Sequence, residues 1–254
     1  MLVKPEISLI ASAVRPHCWL ELYESLRCND VPFEIIFVGS KEPEFTLPDN
    51  FKFILSPTKP AQCVEIASRN ATADLIMHIG DDCELKLRKE DGSLTNEHTL
   101  DTMYKMYNSI GNEKLILSCR YMQNGVDRSE SDHYFFCENP VPPIIPLAGL
   151  MSRKLYRYIG GIDRIFIAAF YDVDVAMRVY AFGGTVIMSD VYLSEDKSKN
   201  KETNLCAEFG GPDRGFLEYL WSVNKKVHFN RNRWFEPFSD YRIVEETQGP
   251  RGKW

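Results

Sequence analysis

The chain has no cysteine pair at metal-binding or redox spacing, no long apolar run, no excess of basic charge and no glycine-rich loop after its first apolar segment. Each absence excludes something. The seven cysteines (Cys18, Cys28, Cys63, Cys83, Cys119, Cys137 and Cys206) are odd in number and scattered, with no CxxC. That argues against a structural zinc site and for reduced thiols in a cytoplasmic setting. No stretch approaches the ~20 apolar residues of a membrane span, so any membrane association is expected to be peripheral. A net charge of −6 over 254 residues argues against a general nucleic-acid surface. An acidic protein that binds phosphate needs a local device, such as a metal ion or a few placed arginines. The first apolar run leads into "ASAVRPHC", which lacks the GxGxxG of dinucleotide enzymes. The N-terminus, "MLVKPEISLIASAVRPHCW", reads as a first strand rather than a signal peptide, because its apolar run is short and Arg15 and His17 follow closely.

Strand-like and helix-like patterns alternate over the first hundred residues. Continuous apolar runs at 7–12, 33–39, 51–56 and 73–79 are separated by helical periodicity at 17–28 and 60–71, where Pro60 suits a first turn. Such runs predict a largely parallel sheet covered on both faces. The polar stretch 86–99 reads as a loop before a helix over about 98–109, and 114–122 reads as another strand. "ENPVPPIIPLAG" (138–149) is proline-rich and reads as an ordered loop. From Met151 a short helix, a Gly160–Gly161 turn, a loop and a helix over about 172–182 are expected, then a last strand at 185–189. A polar stretch after Ser194 precedes one more helix at 212–226 and a basic, aromatic tail.

Two groups of acids stand about ninety residues apart: Asp81, Asp82 and Glu84 after the fourth strand, and Asp172 with Asp174 at the start of the helix after "IFIAAFY". Ligands of parallel sheets gather beyond the carboxyl ends of the strands, and the first group stands at one such end. Hard divalent cations take carboxylate oxygens, typically one or two together with substrate phosphates. A carboxylate at a helix start, facing a cleft, suits a general base. Each acid also has a plainer reading. Asp172 fits an N-cap, Asp174 with Arg178 an i, i+4 ion pair, and Asp81 and Asp82 a solvated turn.

"ISLIASAVRP", "RNATADLIMHIGDDCEL" and "GLMSRKLYRYIGGIDRIFIAAFYDVDVAMRVYAFGG" resemble the three signature regions of family 2-type glycosyltransferases of the GT-A fold. In the third, Gly160, Gly161, Asp163, Phe166, Asp172, Asp174 and Arg178 all fall in step. The resemblance covers about residues 7–190. It implies an α/β GT-A fold, with a Rossmann-like, mostly parallel central sheet flanked by helices. The expected division is a glycosyltransferase domain over 1–195, with a nucleotide-binding part at about 1–85 and an acceptor part at about 140–195. Residues 196–254 would add a helix and a tail packed on the same domain.

The resemblance also implies a reaction. A sugar would pass from a nucleoside diphosphate sugar, UDP-linked by preference, to a hydroxyl of a glycan, glycolipid or other acceptor, with inversion and with Mn²⁺ or Mg²⁺. Asp172 aligns with the general base. Asp82 would hold the metal with Glu84 as the alternative ligand, and Ser12, Arg15, Asn70 and Asp81 would meet the donor. Asp174, Arg231 and Arg233 are candidate acceptor or diphosphate contacts, the two arginines in a tail that also holds Arg242, Trp234 and Phe235. Three features depart from the family pattern. Gly39 or Ser40 stands where an acid usually reads the base, Tyr171 replaces the glutamate before Asp172, and "SDVYLSED" offers no histidine after the last strand. Two rival readings are a sugar nucleotidyltransferase, disfavoured by the missing glycine-rich phosphate loop, and a non-catalytic sugar-binding module of the same fold.

Overall fold

The computed structural model describes residues 4–129, 148–199 and 205–221. Ten strands form one sheet: β1 (Ile7–Ser12), β2 (Phe33–Gly39), β3 (Phe51–Leu55), β4 (Leu75–His78), β5 (Cys83–Arg88), β6 (Leu94–Thr95), β7 (Leu115–Gln123), β8 (Val126–Asp127), β9 (Gly149–Ser152) and β10 (Thr185–Glu195). Their spatial order is β3-β2-β1-β4-β9-β7-β10-β5-β6, with β8 hairpinned onto β7. β3, β2, β1 and β4 are mutually parallel, as are β7 and β10, while β9 and β5 run against their neighbours. The mostly parallel sheet expected from the apolar runs is therefore present.

Six helices cover it: α1 (Pro16–Leu26), α2 (Pro60–Asn70), α3 (Thr99–Ile110), α4 (Arg153–Tyr158), α5 (Tyr171–Ala181) and α6 (Leu205–Trp221). Because side chains alternate across a strand, β1 feeds two cores. Ile10 packs with Ala67 of α2, Ala176 of α5 and Trp221 of α6 in one core. Leu9 packs in the other with Trp19 and Leu22 of α1 and Met103 of α3. Helix α1 buries Cys18, Trp19, Leu22 and Leu26, one face at helical spacing, and starts with Pro16, whose missing N–H costs nothing in a first turn.

Four elements differ from the sequence reading. The stretch expected as a loop from 86 is the β5–β6 hairpin. It alternates Cys83 and Leu85 inward with Glu84 and Lys86 outward, so charge hides a half-buried strand. Its turn is closed by Asp91, which accepts from the Ser93 N–H (2.9 Å) and hydroxyl (2.6 Å). Residues 149–152, partly read as helix, are strand β9 inserted between β4 and β7, and Ser152 caps α4 by accepting from Leu155 N. Strand β10 continues to Glu195 past a register shift between Met188 and Tyr192, the point where the predicted strand stopped. Helix α6 begins at Leu205 and carries Pro212 inside it rather than in its first turn. Residues 222–226 of that predicted helix lie outside the described residues, as does nearly all of the proline-rich loop. Among the described residues no helix is long and apolar enough to cross a membrane.

Candidate active site

Strand β4 ends at His78 and the chain turns through Asp81 and Asp82 into β5. Asp81 is buried, and its lone pairs are taken. Oδ2 accepts from the backbone N–H groups of Val14 (2.7 Å) and Arg15 (2.8 Å) and from Trp19 Nε1 (3.4 Å), and Oδ1 accepts from Arg15 Nη1 (2.6 Å). Asp81 thus fixes the turn between β1 and α1 and draws the Arg15 guanidinium inward, to 3.4 Å from Asp82 Oδ2. The Nε of Arg15 is buried with no protein partner.

Asp82 is less well compensated. Burial pushes its carboxyl above the usual range; Arg15 opposes this, and the charges of Asp81 and Glu195 add to it. Glu195 was missed by sequence reasoning, which searched the end of the last strand only for histidine. It ends β10 in register with Cys83, beside Asp82, and accepts from the Tyr121 hydroxyl and from Gln123 Nε2 (3.2 Å). Glu84 lies one residue past Cys83, between Asn96 Nδ2 (3.2 Å) and Lys86 Nζ (3.7 Å). Asp82, Glu84, Lys86, Glu21 and Asp196 line an open polar cleft of about 380 Å³. A hard divalent ion fits this donor set, because Asp82 and Glu84 line the cleft together and Glu195 stands close enough to add its charge to Asp82. Asp30, His98 and Asp101 bring ligand atoms within 4.8 Å of one another, but past the C-terminal end of α1, whereas Asp82 lies near Arg15 at its start. There Asp101 accepts from Val31 N (2.8 Å), Asp30 N (3.1 Å) and His98 Nδ1 (2.7 Å), which ties α3 to the α1–β2 loop.

Asp172 lies in the first turn of α5, at a cavity that it shares with His78, the last residue of β4. It is not the N-cap. That position belongs to Phe170, in the left-handed region at φ 60° with no side-chain cap, and Asp172 Oδ1 accepts from its neighbour Val173 N (2.9 Å). Its carboxyl stands at an apolar cavity of about 480 Å³, open to solvent and lined by Ile10, Ile76, Met151, Val175, His78 and Tyr171. These walls push it up to about 6. His78 shares a hydrogen bond with the Tyr171 hydroxyl (3.1 Å), and burial holds its imidazole down at about 4, so it is neutral at neutral pH. Among the described residues the cavity therefore brings no cation to Asp172.

The loop before α5 is held by buried charges. Gly160 and Gly161 have φ 97° and 72°. A Cβ on Gly161 would come within 2.6 Å of Glu65 Oε2, the atom that accepts from the Tyr156 hydroxyl (2.8 Å) and Ile162 N (3.2 Å). Arg178 donates to the carbonyls of Ile159 and Gly161 and, through Nε, to Asp174 Oδ2 (3.0 Å). Asp174 Oδ1 accepts from Trp221 Nε1 (2.9 Å). Asp174, expected to contact acceptor or diphosphate, is wholly buried in this network and has no face toward the cleft.

The expected donor residues divide. Ser12 and Arg15 stand at the end of β1 with Asp81. Asn70 does not join them: α2 carries it roughly 16 Å back, at 1.5 Å per residue, toward the starts of β3 and β4. There it accepts from Lys52 Nζ (3.2 Å) and donates to Ile66 O (2.9 Å). The lost base-reading acid also has a cause. A Cβ on Gly39 would lie 1.7 Å from the carbonyl oxygen of Ala13, whose own N–H bonds Val38 O, so no side chain fits there without a backbone shift. Arg231, Arg233, Trp234, Phe235 and Arg242 lie outside the described residues.

The fold is that of the GT-A glycosyltransferases. Solved structures that superpose on it include S. aureus TarS 1-349 (TM-score 0.55, 14% identity, covering 74% of this chain and 60% of that one). The same protein in complex with UDP-GlcNAc superposes at TM-score 0.54 and 14% identity, covering 78% and 60%. The mannosyltransferase PcManGT from Pyrobaculum calidifontis, in complex with GDP-Man and Mn²⁺, gives TM-score 0.53 and 17% identity, covering 76% and 57%. This chain thus spans about three fifths of the length of these structures. No family model and no curated sequence matches it.

Proposed function

We propose that this protein is an inverting glycosyltransferase that moves a sugar from a nucleoside diphosphate sugar, UDP-linked, to a hydroxyl of a glycan, glycolipid or other acceptor. The observation that carries the proposal is Asp172: a carboxyl raised to about 6, at the rim of an apolar cavity at the start of α5, in a GT-A fold. Above that pH the carboxylate accepts the proton of the acceptor hydroxyl. The hydroxyl oxygen then bonds to the anomeric carbon from the face opposite the diphosphate. The bond between that carbon and the diphosphate oxygen breaks, and its electron pair leaves with the diphosphate, so the configuration inverts.

Ser12 and Arg15 line the nucleotide side of the cleft in this reading, with Asp81 holding the turn that presents them. Asp82 would hold Mn²⁺ or Mg²⁺, with Glu195 and Glu84 as the further carboxylates. When bound, the ion offsets the charge building on the leaving diphosphate. The neighbours' own ligands, UDP-GlcNAc for one and GDP-Man with Mn²⁺ for another, support a nucleotide-sugar donor and a divalent ion. Cys18, Cys28, Cys63, Cys83 and Cys119 are free thiols, which suits a cytoplasmic enzyme.

Thermal shift with UDP-, GDP- and dTDP-sugars in the presence of Mn²⁺, followed by assay of nucleoside diphosphate release, tests the proposal, because a true ligand stabilises by mass action. One donor class should raise Tm and be turned over. Stabilisation without turnover of any donor would leave a binding module in place of an enzyme.

A further inference from the structure

Asp213 belongs to no expected site, yet its carboxylate is wholly buried and spent on one short segment. It accepts from three consecutive backbone N–H groups: Ile167 (3.2 Å to each oxygen), Ala168 (2.8 Å) and Ala169 (2.9 Å). A buried carboxylate is tolerated where hydrogen bonds replace its hydration, and here the backbone supplies them. The same segment is held from its other side, because Ile167 O accepts from Ala61 N in the first turn of α2 (2.9 Å). The next residue, Phe170, takes a left-handed backbone that phenylalanine adopts only under tertiary constraint. Tyr171 and Asp172 follow directly.

Helix α6 touches α5 a second time. Trp221, eight residues after Asp213 and about 12 Å along the helix axis, donates to Asp174. One helix thus grips the chain on both sides of Asp172, at Ile167–Ala169 before it and at Asp174 after it. Leu217, Leu220 and Trp221 anchor that helix in the core shared with Val173 and Ala176 of α5.

We infer that Asp213 is a positioning residue for Asp172: through the backbone of Ile167–Ala169 it sets the left-handed entry into α5 and so holds the Asp172 carboxylate against the apolar cavity. The inference rests on the reading of Asp172 as the base only for its consequence in turnover. Its structural content stands separately and is tested separately.

The test is titration of Asp carboxyl carbons by ¹³C NMR in the full chain, with the Asp172 signal assigned by its loss in Asp172→Asn. In the unmodified protein that signal should titrate near 6. Of the other titratable groups that line the cavity, His78, Tyr156 and Tyr171, burial holds the His78 imidazole down at about 4 and pushes the Tyr156 hydroxyl up, so neither changes charge around that pH. In Asp213→Asn, which keeps the size but only one acceptor oxygen, the midpoint should fall by a pH unit or more as water reaches the carboxyl. Mn²⁺-dependent UDP release from UDP-GlcNAc, measured beside it, should lose at least tenfold in kcat with KM within about twofold. If Asp213→Asn does not fold, Asp213→Glu, which keeps both oxygens one methylene further out, is titrated in its place. An Asp172 midpoint unchanged in a folded Asp213 variant overturns the inference. A shifted midpoint together with full turnover by Asp172→Asn would instead overturn the base reading and leave the positioning role intact.

Discussion

Replacing Asp172 by asparagine should move activity and stability in opposite directions. Raising a carboxyl from 3.8 to about 6 in the folded state costs the ionised form about 3 kcal/mol, or about 2 once its partial exposure is allowed for. The sign follows from linkage. Below about pH 3.8 the group is protonated in both folded and unfolded chains, and the cost is absent. As pH rises from there to about 6 the unfolded chain ionises first and stability is lost; above 6 the loss is constant. Asparagine never ionises, so the variant should match the unmodified protein near pH 3.5 and exceed it by about 2 kcal/mol at pH 8. Its amide oxygen can still accept from Val173 N. Turnover should fall by roughly 10²–10⁴-fold at saturating donor with donor affinity unchanged. In the unmodified enzyme kcat should rise about tenfold per pH unit below the midpoint and level off above it, and that rise should vanish in the variant. Urea melts at the two pH values and the kcat profile decide the matter. A variant that keeps most of its turnover, or is less stable at pH 8 than at pH 3.5 relative to the unmodified protein, refutes the reasoning.

Three further outcomes are expected. Asp82→Ala should abolish Mn²⁺-dependent binding of UDP-GlcNAc, read by isothermal titration, and leave stability at neutral pH equal or higher, because burial and like charges disfavour the ionised acid; equal affinity in both proteins would remove Asp82 from the metal site. Gly39→Ala should lose about 1–3 kcal/mol and several degrees of Tm, since its methyl would meet the Ala13 carbonyl at 1.7 Å; an unchanged melt would show that the β1 and β2 ends yield freely. Gln62 is fully buried with neither amide atom bonded among the described residues, so Gln62→Met should raise stability by about 1–3 kcal/mol, and a urea midpoint that does not rise counts against that burial.

The fold was legible where hydrophobic pattern decides structure. β1 to β4 are continuous apolar runs with helices between them, and only covered parallel strands read that way. The hairpin after Asp82 was not legible, because an edge strand facing water on one side looks like a charged loop over so few residues. Strand β9 was hidden by its length: four residues between β4 and β7 make sense only once both neighbours are in place. At the site, the resemblance singled out Asp82 and Asp172, which line a cleft and a cavity, but it could not tell an acid that faces a cleft from one spent on the fold. Asp174 and Asn70 follow the same motifs and point elsewhere. Asp213 and Glu195 carry no motif at all, and their contacts are to partners 44 to 46 and 72 to 74 residues away in the chain.

The departures from the family pattern become mutually consistent in the cavity beside Asp172. A glutamate at position 171, where the family has one, would place a second carboxylate at an apolar wall that holds no cation. Like charges in one desolvated site raise each other's pKa, which would carry Asp172 above 6 and leave it protonated at neutral pH. Tyrosine avoids that. Its hydroxyl reaches His78, whose imidazole is held neutral by the same apolar surroundings, and the pair satisfies its own hydrogen bond without adding charge. At Asp82, past the end of β4, the compensation has the other sign. Where the family has a neutral histidine, the end of β10 brings Glu195, which adds negative charge next to Asp82 and strengthens the site's demand for a divalent cation. In the proposed reaction the apolar cavity would keep the base free of added charge, and the cleft at Asp82 would be anionic to suit a metal-bound diphosphate.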